Sequence, residues 1–61
     1  MKKLIYYKIK NISGEISDQN AVVYTKRNTI SIKEWQEFRE DRCIQHHTKY
    51  APIIINIMNI R

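Results

Sequence analysis

Cys43, His46 and His47, with Glu40 one turn earlier, come closest to a chemical site in this chain. On a helix, Glu40, Cys43 and His47 fall on one face at i, i+3 and i+7. Carboxylate, thiolate and imidazole are all zinc ligands. A structural zinc site takes four ligands, and there is no second cysteine to form a pair. The expectation is therefore no metal and no cofactor. Cys43 reads as a small buried thiol and the histidines as solvated groups near a helix C-terminus, where an imidazolium suits the dipole. Cys43 and His47 also have the i, i+4 spacing of a nucleophile and its base. Catalysis further needs an orienting group, an oxyanion site and a pocket, for which so short a chain has little room. No catalytic residue is assigned, and the chain is read as non-enzymatic.

Lysine and tyrosine form the second constellation. Residues 1–12 carry Lys2, Lys3, Lys8 and Lys10 and no acid. If this segment is a strand, one face presents Tyr6, Lys8 and Lys10, joined by Tyr24 and Lys26 from the next strand. Lysines neutralise phosphates and tyrosines stack on bases, so these five residues are the candidate nucleic-acid surface. The plainer reading is a solvated face whose lysines discourage edge-to-edge aggregation. The net charge of +5 and pI of about 9.6 suit the first reading. No phosphate-cradling glycine loop, helix-turn-helix pattern or full RNA-binding motif is present.

Sixty-one residues make one domain, 1–61. A chain of this length buries only about 60% of its unfolded surface. A single cysteine excludes an internal disulfide, the usual staple of small secreted domains. The apolar run after Lys3 is broken by Lys8 and Lys10, which does not suit a signal peptide, and no segment is apolar enough to span a bilayer. A cytoplasmic protein without membrane contact is expected. Its stabilising resource is isoleucine, of which there are twelve, and β-branched residues favour sheet. The abundance of Ile, Lys, Asn and Tyr suits an AT-rich gene, such as that of a low-GC bacterium or its phage.

The element around which the others must be arranged is the segment from Ser31 to His47. Ser31-Ile32-Lys33-Glu34 has the form of a capping box. Ile32, Trp35 and Phe38 lie within one helical arc, and Glu34, Glu37, Glu40 and Asp41 lie opposite. The stripe weakens after Phe38, so the first two turns are expected to be packed and the later ones, with Arg39 and Arg42, exposed. Before the helix, residues 3–12 alternate as a strand with Ile5, Tyr7 and Ile9 on one face. A turn at Ser13-Gly14-Glu15 opens a polar loop through Asn20, with Ile16 pinning it to the core. Residues 21–27 read as the second strand. After the helix, Pro52 biases Ala51 towards extended backbone. Residues 53–60 form the last strand, with Ile53, Ile55 and Ile57 on one face and Ile54, Met58 and Ile60 on the other beside Asn56.

These readings give an α+β fold, β-β-α-β, with one helix packed on a three-stranded, mostly antiparallel sheet. The expected function is a small protein-binding module. Its candidate contacts are Arg39 and Arg42 on the helix and Ile54, Met58 and Ile60 on the last strand, since Tyr, Trp and Arg concentrate at hot spots and exposed apolar area marks an interface. In a phage or mobile element such a module would be an inhibitor occupying a surface of a host protein, for example a defence nuclease or polymerase. The alternative is a nucleic-acid-binding module using the Lys/Tyr face. A strand apolar on both faces, beside a single helix, also points to a homodimer.

Overall fold

The structure is a computed structural model that describes residues 1–60. Strand β1 (Lys2–Lys10) pairs antiparallel with β2 (Ile16–Tyr24) on one side and with β3 (Ile53–Ile60) on the other. The sheet order is β2-β1-β3. Both flanking strands oppose β1, so they run parallel to each other. The chain must therefore cross the sheet between them, and helix α1 (Ile32–Gln45) makes that crossing. A single helix over a single sheet gives a thin molecule, with Cα extents of 35 × 20 × 14 Å.

Along β1 the side chains alternate as expected of a half-buried strand. Ile5, Tyr7 and Ile9 are buried on the helix side, and with Phe38 of α1 they are the buried hydrophobic residues among those described. Phe38 meets Tyr7 edge-on, with ring centroids 5.5 Å apart at 88°. Trp35 meets Phe38 at 5.9 Å, also edge-on, and is half-buried. The Arg42 guanidinium lies 5.3 Å from the Phe38 ring centroid. Lys3 continues the buried side of β1 and donates to Asn59 Oδ1. Its burial is written in the same alternation, two residues before Ile5.

The helix starts and ends on local signals. Glu34 N–H donates to Ser31 Oγ (3.2 Å) and Ser31 N–H to Glu34 Oε1 (2.9 Å), completing the capping box. At the other end His47 N–H donates to the Ile44 carbonyl and Thr48 N–H to the Cys43 carbonyl. This is a Schellman pattern with His47 at the left-handed position (φ 52°) where glycine is favoured.

Four expectations are corrected. Ile32 is 79% exposed, because it stands at the start of the helix while Phe38 lies over the central strand. The later turns are the more exposed, as expected: Phe38 is the last buried residue of the helix and Arg39 is exposed, although Arg42 and Cys43 are half-buried. Strand β2 begins at Ile16 rather than residue 21, and Ser17–Asn20 pair with Tyr6–Ile9. Backbone pairing is indifferent to side-chain polarity at a solvated edge, so that polar run forms strand. The turn is accordingly the five residues 11–15. Asn11 N–H donates to the Glu15 carbonyl and Asn11 Oδ1 accepts from Glu15 N–H. Gly14 takes φ 88°, and the nearest atom to a Cβ there would be Lys10 Cε at 3.8 Å, so the backbone conformation rather than space calls for glycine. Ile16 is 63% exposed and pins nothing. Finally, a bulge changes the phase of β3. Tyr6 opposes Asn56 but Tyr7 opposes Ile54, so Ile54 joins Ile57 on the helix side, while Met58 and Ile60 face away.

Phe38→Ala is expected to destabilise the fold by about 3–5 kcal/mol, whereas Ile32→Ala should change it by no more than about 0.5 kcal/mol. Urea unfolding followed by circular dichroism checks both. His47→Gly relieves the left-handed strain and should stabilise by about 1 kcal/mol in the same measurement.

Candidate interaction surfaces

Three surfaces emerge, and the candidate residues are divided among them. The first is the sheet face turned away from α1. Residues directly opposite on antiparallel strands share a face, so the pairing builds this face in rows. Tyr24, Lys2 and Ile60 form one row; Val22, Leu4 and Met58 the next; Asn20, Tyr6 and Asn56 a third; Asp18, Lys8 and Ile53 a fourth. No helix covers this face. Val22, Met58 and Tyr24 are 46%, 44% and 75% exposed, and Leu4 and Ile60 are half-buried. One row, Val22–Leu4–Met58, is wholly apolar; the row beside it sets Asn20 and Asn56 about Tyr6, and lysines lie at both ends. Lys8 Nζ lies 3.8 Å from Asp18 Oδ1, and Lys10 Nζ lies 4.9 Å from the centroid of the Tyr50 ring.

The second surface is a cleft of about 300 Å³ between α1 and β3, lined by Ile32, Trp35, Gln36, Phe38, Arg39, Pro52 and Ile54. The third is a groove of about 750 Å³ between α1 and β2. Lys26, Arg27 and Lys33 line it together with Glu34, Glu37 and Asp41. Arg42 also lines this groove, and its Nε is shut off from solvent without a hydrogen-bond partner. Glu34 sits in the groove with its carboxyl held below its ordinary value. The main cause is the Ser31 N–H, followed by the Ser31 hydroxyl, with smaller help from Lys26.

Of the five residues expected to contact a protein, Arg39 and Ile54 share the cleft, Met58 and Ile60 share the open face, and Arg42 lies in the groove. The proposed grouping of Ile54 with Met58 and Ile60 is undone by the bulge. Of the five residues expected to contact nucleic acid, Tyr6, Lys8, Lys10 and Tyr24 lie on the open-face side of their strands. Lys26 lies past the end of β2 and lines the groove with Glu34, because the chain has by then turned towards the helix. Leu4 and Val22, of the apolar row, are not among the candidate contacts, although the alternation of the second strand sets Val22 on the side of Tyr24. Their signal was the same alternation that buries Ile5 and Val23's side of the sheet.

The residues that suggested metal or nucleophilic chemistry are drawn apart. His46 Nε2 lies 3.1 Å from the Tyr7 hydroxyl, with the two rings edge-on. This histidine is therefore a packing partner of the central strand rather than a solvated group. Cys43 Sγ lies 3.5 Å from the Tyr50 carbonyl, and His47 is exposed beyond the helix end. Among the described residues no three His, Cys, Asp or Glu side chains come together. No helix of the described residues is long and apolar enough to cross a membrane. Comparison of the chain with protein-family models, with curated proteins and with solved structures finds no match to any of them.

The lowered Glu34 carboxyl has a signed consequence. A carboxylate favoured in the folded state stabilises above the unfolded pKa of about 4.3, and that contribution is lost as pH falls through the lower folded value. Glu34→Gln is thus expected to be less stable than the parent at neutral pH. The gap should close on acidification below the ordinary carboxylate range, as read by thermal unfolding at a series of pH values.

Proposed function

We propose that this chain is a small, non-enzymatic protein-binding module that docks through its uncovered sheet face. The observation that carries this reading is the apolar row Val22–Leu4–Met58, flanked by Ile60 and Tyr24, on a face that α1 does not reach. Contiguous apolar surface of this kind is characteristic of interfaces. Lys2, Lys8 and Lys10 frame the row, so a complementary partner offers an apolar centre with an acidic rim. An inhibitor of a host or cellular protein would act in this manner, by covering a surface rather than by chemistry.

Nucleic-acid binding is the second reading, favoured by one observation: Tyr6, Tyr24 and the three lysines belong to the same face. The two readings separate by substitution. Val22→Asp with Met58→Asp places acids in the apolar row and is expected to abolish recovery of a specific protein from nuclease-treated extract of the source cell. Circular dichroism should remain that of the parent, since both side chains are exposed. If instead Lys8→Gln with Lys10→Gln removes binding to random oligonucleotides and lowers the salt slope by about 0.7–0.9 for each phosphate no longer neutralised, the second reading prevails.

A further inference from the structure

We infer that the free edge of β3 is a self-association surface, at which a second copy of this chain pairs its own β3 antiparallel to the first. This goes beyond the open-face reading and uses a different part of the strand. The two edges of the sheet are unlike. β2 presents Ser17, Asp18, Gln19 and Asn20 along much of its length, and a polar, charged edge resists pairing. β3 reads IIINIMNI, with no charge, and Ile53, Ile55, Ile57 and Met58 are all exposed. An edge strand that is apolar on both sides fits another strand apolar on both sides, and β3 itself is such a strand. The amide of Ile57 donates to the carboxamide of its own neighbour Asn56 (2.9 Å), a local bond that a pairing strand replaces.

Charge selects this arrangement over stacking of two open faces, and the surface of the chain leaves room for an interface. Stacking would bring the lysines of two +5 molecules together, whereas edge pairing joins uncharged strands. The chain exposes 4814 Å². A monomer of 7.4 kDa is expected to expose about 4,200 Å², leaving an excess of about 600 Å². A standard interface takes about 800 Å² from each partner, so the excess is of the right order. Antiparallel pairing about a two-fold axis perpendicular to the sheet is isologous. It gives a six-stranded sheet with both helices on one side, turns the two Trp35–Ile54 clefts towards the axis, and doubles the open face.

Sedimentation velocity of the intact chain over a wide concentration range is expected to show conversion from 7.4 kDa to twice that mass. The emission of Trp35, the single tryptophan, should shift to the blue as the clefts close, and the Ile57 amide should gain exchange protection with concentration. Asn56→Lys sets like charges near the axis and should remain monomeric with the parent's circular dichroism. Ile55→Lys, at a side chain 56% exposed, serves if that variant is unfolded. Val22→Asp, which tests the open face, should leave the dimer intact. A chain that stays at 7.4 kDa at high concentration overturns the proposal, as does a dimer that survives both lysine variants or is abolished by Val22→Asp.

Discussion

The edge-on contact between Phe38 and Tyr7 is the interaction on which this fold depends. The crossover from β2 to β3 obliges α1 to pass over the central strand, and Tyr7 is the aromatic residue on the side of that strand that meets it. Phe38 is in turn enclosed by Trp35 and by the Arg42 guanidinium, and Tyr7 by His46. The result is one short aromatic chain from helix to sheet. Beyond it the buried hydrophobic residues described are Ile5 and Ile9 alone. So small a core leaves little redundancy, and a chain of this length is marginal by the scaling of surface with size.

A core confined to one side of the sheet has a direct functional consequence. The opposite side is built by the same strands with the same alternation, and its residues have nothing in the chain to cover them. One wholly apolar row, Val22–Leu4–Met58, therefore stays in water. Scattered exposed apolar residues are ordinary, but a contiguous row is less so. The two edges add an asymmetry: the β2 edge is polar and the β3 edge is apolar on both sides. Charge follows the same division. Most of the acids line the helix, where the capping box and the groove use Glu34, while Lys2, Lys8 and Lys10 of β1 frame the open face.

The helix is delimited at both ends by short-range hydrogen bonds. The capping box closes its first turn and the Schellman bonds close its last, the latter with a histidine in a conformation that suits glycine better. These local devices set where the helix lies in the chain. They do not set which of its side chains become buried, and the exposure of Ile32 beside the burial of Phe38 shows the difference.

The sequence by itself determined the order and type of the elements, the capping box at Ser31, the Gly14 turn and the burial of Ile5, Tyr7 and Ile9. Each of these rests on interactions between near neighbours or on a strict alternation, so each is legible without knowing what lies across the sheet. The tertiary structure decided the rest. Polar residues 17–20 became strand because a partner backbone lay beside them, and pairing depends on backbone groups common to all residues. The bulge near Ile55 moved Ile54 to the helix side, since a bulge is defined by register against β1 and leaves no mark in a run of isoleucines. Lys26 left the lysine face because the chain turned after Tyr24, and His46 found Tyr7 only once the helix end came down on the central strand.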